Sequence, residues 1–205
     1  MKIIVYKNDI PDNFQLFGDL AIDTETMGLQ IHRDRLCVLQ ISNGDKNNIY
    51  LIHFNDMSYH APNLKKLLED PNRVKIFHYA RFDIAIIKKY LDIQIDNIFC
   101  TKIASKLVRT YTEHHGLKDL CREILGINIS KQQQSSYWGT IKLSDHQKEY
   151  AAKDVQYLHD LRTILTERLV ENKRYQLARK LFEFLPTRAE LDIIGWNDID
   201  IFSHN

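Results

Sequence analysis

The sequence predicts an α/β domain built on a mixed sheet with helices packed against it. Three observations carry that prediction. Runs of branched, apolar and aromatic residues at 3–6, 20–26, 35–42 and 48–54 are separated by turn signals and read as strands. Further strand-like runs at 74–78 and 98–101 alternate with segments whose apolar residues recur at helical spacing. From residue 101 onward the pattern is mostly helical. Strands first, then helices interleaved with more strands, give a layered α/β arrangement rather than two separate units. The 205 residues, 44% hydrophobic and 27% charged, suffice for a proper core.

Taken in order, Pro11-Asp12-Asn13 turns the chain after the first strand, and Asn43-Gly44-Asp45 joins the third to the fourth. Pro62 suits the first turn of a short helix over 63–69, which Asp70-Pro71 stops. A helix over 81–91 shows Phe82, Ile86, Ile87 and Tyr90 on one face. Helices follow at 101–110 and 117–125, the second closed by Gly126. A polar loop spans 131–139. Ser144, with Gln147 three residues on, has the form of a capping box that starts one long helix reaching about residue 170. A last helix over 175–185 is expected to break at Pro186, leaving a tail rich in apolar residues. The expected division is therefore a main body over 1–170 and a C-terminal helix with tail over 171–205, the tail packing on its own core or on a neighbouring subunit.

Composition narrows the function. A net charge of +1 provides no global field for nucleic acid, so attraction to an anionic substrate has to be local or come from bound metal. Cys37, Cys100 and Cys121 are widely spaced, lack any CxxC and read as small core residues. No run approaches the roughly 20 apolar residues of a membrane span. The quickly charged N-terminus does not read as a signal peptide, so a cytoplasmic location is expected.

Against that background the carboxylates stand out. In the strand over 20–26, period-two alternation puts Asp23 and Glu25 on one face. Two anions on a buried type of strand repel each other and are costly to desolvate, a conflict that a divalent cation relieves. On the long helix, Tyr150, Asp154, Tyr157, Leu158, Leu161 and Leu165 fall within an arc of roughly 100°. Asp154 therefore faces the core, with Tyr150 one turn earlier on the same face. Asp83 falls in the first turn of the helix that follows the strand at 74–78. That is the edge where α/β folds place their sites, although the helix dipole alone also favours an anion there.

Asp-x-Glu on a strand, an Asp closing His78-Tyr79-Ala80-Arg81-Phe82-Asp83, and Tyr150-x-x-x-Asp154 on a late helix together resemble the DEDD exonucleases. Tyrosine before the final aspartate is similar to the tyrosine subclass, which includes ribonuclease D. The resemblance extends along nearly the whole chain to the short ribonuclease D-like group called nano-RNase C. It runs through Cys100 to Leu107, the loop at 131–136 and the segment from Gly195 to Phe202. It implies an RNase H-like fold and 3′→5′ hydrolysis of short single-stranded oligoribonucleotides, down to dinucleotides, by a ring-shaped homo-oligomer, with an octamer expected. The additional helical domains of full ribonuclease D have no counterpart in this length, so the resemblance does not carry over the trimming of structured RNA.

Four carboxylates without a Cys or His cluster suit hard cations, Mg2+ or Mn2+. Two such ions about 4 Å apart would flank the scissile phosphate. Asp23 is expected to bridge them, Glu25 and Asp154 to complete one site, Asp83 to anchor the other through water, and Tyr150 to orient the attacking water. By resemblance, Met27 or Leu29 wedges against the terminal bases, Gly28 lets the backbone approach the substrate, and His78 joins them as a substrate contact. Lys102, Lys106 and Arg109 form a basic stripe on one helix, expected to be a solvated face with phosphate contact as the alternative. His114-His115 lacks metal-ligand spacing and reads as structural or superficial, and Trp138 reads as core rather than as a base platform. Gln132, Gln133 and Gln134 could reach a 5′ phosphate or a neighbouring subunit. Trimming of longer RNA ends, single-stranded DNA as substrate, and a non-catalytic nucleic-acid scaffold remain the competing readings.

Overall fold

The computed structural model describes residues 1–129 and 136–204, and the expected contacts of Gln132, Gln133 and Gln134 lie outside the described residues. Six strands, β1 (Lys2–Lys7), β2 (Leu20–Thr26), β3 (Leu36–Ser42), β4 (Asn48–His53), β5 (Lys75–Phe77) and β6 (Ile98–Cys100), form one sheet in the order β1-β4-β3-β2-β5-β6. The hairpin partners β2, β3 and β4 run antiparallel, whereas β1 lies parallel to β4 at one edge and β5 and β6 run parallel to β2 at the other. The sheet is therefore mixed, as the sequence predicts. Its two central strands are deeply buried: every residue of β3 is buried, as are Leu20, Ala21 and Ile22 of β2.

Between Glu25 and Thr26 the β2–β3 register shifts, because Glu25 faces Val38 while Thr26 faces Leu36. The extra residue is Cys37 of β3, and a bulge of this kind increases the local twist. It sits just before Met27-Gly28-Leu29, with Met27 N still donating to the Arg35 carbonyl at 3.1 Å.

The helices are α1 (Pro62–Leu68), α2 (Ala80–Leu91), α3 (Thr101–Val108), α4 (Leu117–Leu125), α5 (Asp145–Gln156), α6 (Leu158–Glu171) and α7 (Tyr175–Ile193). Among the described residues no helix is long and apolar enough to cross a membrane. Cys37, Cys100 and Cys121 are free and buried, as expected of core residues. The capping box at the start of α5 is present: Gln147 N donates to Ser144 Oγ (3.2 Å) and Ser144 N donates to Gln147 Oε1 (3.0 Å).

Two helical expectations are corrected. The single long helix is broken at Tyr157 (φ −110°, ψ 0°) into α5 and α6. α5 packs across β2, β3 and β4, whereas α6 packs on α3 and α4, and one straight rod cannot serve both surfaces. Tyr150 and Asp154 thus belong to a different helix from Leu158, Leu161 and Leu165. Conversely, α7 does not stop at Pro186 but runs through it. The lost backbone hydrogen bond and ring clash cost about 3 kcal/mol. Burial of Phe182, Leu185 and Ala189 on either side offsets that cost as α7 packs along α2.

The basic stripe on α3 is also corrected at its end. Arg109 is fully buried, donating to Ser105 Oγ (3.0 Å), the His114 carbonyl (2.8 Å) and Glu123. His115, buried, shares a 2.8 Å hydrogen bond with the same Ser105 hydroxyl, so it is structural.

The last turn of α7 is latched to the first turn of α2. Buried Asp192 accepts from Arg81 Nε (2.6 Å) and Nη2 (2.7 Å), and from Arg188 Nη2 (2.7 Å). Replacing Asp192 by Ala leaves two arginines facing each other over an apolar contact. Because both arginines are partly exposed, the expected cost is about 2–4 kcal/mol, read as a lower urea midpoint. An unchanged midpoint would show that the latch does not hold α7 in place.

Candidate active site

The sheet sets the floor of the site. Asp23 and Glu25 project from one face of β2, and α5 crosses that face carrying Asp154 and Tyr150. One carboxylate oxygen from each of Asp23, Glu25 and Asp154 lies within 4.8 Å of the other two. Three convergent oxygen anions, with no nitrogen or sulfur donor in the set, fit a hard divalent cation. The group opens into a cleft of about 750 Å3 that Asp83, His78, Met27, Gly28 and Leu29 also line. All nine residues singled out in the sequence are thus brought to one place.

Asp83 stands outside the trio but beside it. It is buried in the first turn of α2, where the Thr24 hydroxyl donates to its Oδ1 at 2.6 Å. Thr24 points to the opposite face of β2 from Asp23 and Glu25, so this bond ties the second acidic element to the strand that carries the first.

Electrostatics show what the trio lacks. Burial pushes Asp23 up to about 7 even though the Thr24 backbone N–H donates to it. Glu25 is raised well above the usual range, first by burial and then by the negative charges of Asp23, Asp154 and Asp83. Asp83 is raised by burial and by Asp23, against the hydrogen bonds from Thr24. A divalent cation bound among them would reverse each of these effects. Tyr150 is also raised, by burial first and then by Asp154, Glu25 and Asp23, so its hydroxyl keeps its proton at neutral pH and is a donor rather than a base.

The remaining residues form the walls. Leu29 is 81% exposed and Met27 is also largely open, both at the cleft. Gly28 lines the cleft and has a steric reason of its own: a Cβ there would collide with the Asp34 carboxylate, which accepts from Gln30 N (2.9 Å) and from Arg33. The glycine makes room for the turn's own anchor. His78 Nδ1 lies 2.9 Å from the Thr101 hydroxyl, which fixes the ring at the cleft wall. Trp138 is core by burial, as expected, yet it borders the cleft with its ring centroid 6.1 Å from that of Tyr150.

Sequence reasoning missed Tyr79 at the cleft and Gln40 beside Asp23. Tyr79 precedes α2 in the left-handed region (φ 71°), and Lys102 Nζ sits 4.2 Å from the centre of its exposed ring. No local pattern flags a strained tyrosine. Gln40 of β3, directly opposite Asp23, donates from Nε2 to Asp23 Oδ2 at 3.3 Å. Its signal was present: it is a lone amide in the run Leu36-Cys37-Val38-Leu39-Gln40-Ile41.

Comparison with known proteins agrees with this geometry. The family described as 3′-5′ exonuclease matches residues 7–170. A DNA polymerase I of Aquifex aeolicus is 37% identical over 142 residues, which are 69% of this chain and 22% of that protein. A ribonuclease D of Gluconacetobacter diazotrophicus is 30% identical over 155 residues, 76% of this chain and 39% of that one. The chain thus spans well under half the length of these curated relatives. Among solved structures, Brucella melitensis NrnC is 51% identical with a TM-score of 0.94, covering all of both chains. The same protein has been solved with bound Mg2+ (50% identical, TM-score 0.93, all of both chains) and bound to pGG (51%, 0.94, all of both chains). The acidic trio, the tyrosine beside it and these likenesses lead to one conclusion: the chain belongs to the 3′-5′ exonuclease family.

Proposed function

We propose that the chain is a metal-dependent 3′→5′ exoribonuclease that hydrolyses short oligoribonucleotides, down to dinucleotides, to nucleoside 5′-monophosphates. The observation that carries this reading is the trio of carboxylate oxygens within 4.8 Å of one another at the floor of an open cleft. Binding a nucleic acid does not require three anions aimed at the place a phosphate must occupy. A cation there makes them complementary to phosphate.

Two divalent ions, Mg2+ or Mn2+, held by Asp23, Glu25 and Asp154 with Asp83 beside them, would neutralise the scissile phosphate and lower the pKa of the attacking water. The chain's own groups do the rest. Tyr150 holds a proton at its hydroxyl next to Asp154, and orients the nucleophilic water by a hydrogen bond to that hydroxyl. Thr24 keeps Asp83 fixed against β2. Leu29, Met27 and the Tyr79 ring offer apolar surface against which unpaired bases stack. Attack by water on phosphorus forms a P–O bond as the P–O3′ bond breaks: the water gives up a proton, the 3′-terminal nucleotide leaves with its 5′ phosphate, and the departing 3′ oxygen takes up a proton to become a hydroxyl.

The preference for very short strands rests on likeness along the whole chain to a protein solved with pGG. Longer RNA or single-stranded DNA is the second reading, favoured by the likeness to DNA polymerase I and ribonuclease D. We also propose a homo-oligomer, with an octamer expected. The exposure of Ile194, Trp196, Ile199 and Phe202 in the tail supports association. Light scattering that returns the mass of one chain would overturn the oligomer.

The decisive experiment is turnover of end-labelled RNA in a length series from two nucleotides upward, in Mg2+ and again in EDTA. Fastest turnover on the dinucleotide and none in EDTA are expected. Faster turnover on longer strands than on dinucleotides would transfer the assignment to the second reading.

Two variants test the roles of the site. Tyr150→Phe should lower kcat by about 100-fold or more with little change in metal binding, and near wild-type kcat would refute a water-orienting role. Asp23→Asn should lower kcat at least about 1000-fold. By removing one of the repelling charges it should also raise the melting temperature of the metal-free protein, by roughly 2–4 °C for each kcal/mol relieved. A lower melting temperature in that variant would argue against repulsion as the dominant local energy.

A further inference from the structure

Gln40 is fully buried at the centre of β3, between neighbours that are all buried too. A primary amide in such a place needs partners for two donors and an acceptor. Its Nε2 donates to Asp23 Oδ2 at 3.3 Å. Its Oε1 is buried and, among the described residues, has no hydrogen-bond partner. A leucine or methionine would fill the same volume without leaving an acceptor stranded. The amide orientation is informative as well. Turning the group over would direct Oε1 at the Asp23 carboxylate, oxygen against oxygen, so the anion dictates which end faces it.

The register explains why this position and no other supplies the bond. Asp23 and Gln40 are directly opposed across the β2–β3 pair, so their side chains leave the same face side by side. Lysine or arginine there would also donate, but would bring a positive charge into the place where a cation is to bind. A neutral donor holds the carboxylate without competing for it.

We infer that Gln40 is a positioning residue for Asp23, holding one carboxylate oxygen so that the side chain is already turned toward Glu25 and Asp154 before metal arrives. The inference rests on the metal-binding reading of the site. It assigns to β3 a part in ion binding that no β3 side chain takes as a ligand. A residue that fixes a ligand's orientation without touching the ion commonly shifts metal affinity by 10–100-fold when it is replaced.

The test is metal titration of the full chain, stripped with EDTA and dialysed, using Mn2+ and Mg2+ and isothermal calorimetry without RNA. Gln40→Met keeps the length and removes the donor, and Gln40→Leu is the second variant should the first not fold. Melting of the metal-free proteins is measured alongside. The expected result is divalent binding about 10-fold or more weaker than wild type, with a metal-free melting temperature equal to or above wild type because the stranded acceptor is gone. In steady state, kcat should fall at fixed Mg2+ and partly recover as Mg2+ is raised, while KM for the dinucleotide is little changed. Wild-type metal affinity in either folded variant would overturn the inference. So would weaker binding accompanied by a clearly lower metal-free melting temperature, which would make Gln40 a packing residue. Absence of divalent binding by the wild-type protein would overturn the metal-binding reading itself, a separate outcome from failure of the variants.

Discussion

The repulsion among Asp23, Glu25, Asp83 and Asp154 is the constraint to which the rest of the structure answers. Four acids from three elements are crowded into one place: burial raises the proton affinity of Asp23, Glu25 and Asp83, and neighbouring charges raise that of Glu25 and Asp83 further. A chain selected only for stability would not gather them. What holds them is the apolar sheet beneath: the fully buried residues of β2 and β3, with α5 laid across them. Core burial supplies the stabilisation that the charges withdraw.

The supporting contacts follow one logic. The carboxylates are tethered by neutral donors, the Thr24 hydroxyl to Asp83 and the Gln40 amide to Asp23. The arginines are used elsewhere: Arg81 and Arg188 on Asp192, Arg109 on Glu123, Arg162 on Asp19. These arginines are committed to carboxylates outside the trio, so a chain of net charge +1 still gathers acidic side chains at one pocket.

Most of the fold and the acidic core of the site were legible in the sequence because both rest on short-range rules. Alternation placed Asp23 and Glu25 on one side of a strand, and one helical turn placed Tyr150 with Asp154. What stayed hidden depends on tertiary packing. The break at Tyr157 answers to two surfaces, the sheet and the α3–α4 pair, that no local pattern reveals. Pro186 was overruled by the contact of α7 with α2. Arg109 reads as one more surface cation until Ser105, His114 and Glu123 are seen around it. That Gly28 also makes room for Asp34, six residues on, shows only in three dimensions.

The bulge that ends β2 places chemistry and grip within a single short span. Glu25, one of the acidic trio, and Met27 and Leu29, at the wall of the cleft, are separated by one irregular step in the β2–β3 ladder. There is no hinge between them to absorb an adjustment, so the jaw cannot be retuned for a bulkier or longer strand without disturbing the anvil. Diversity in what such a protein accepts should therefore arise around Lys102, which lines the same cleft from α3, a helix that carries none of the four acids.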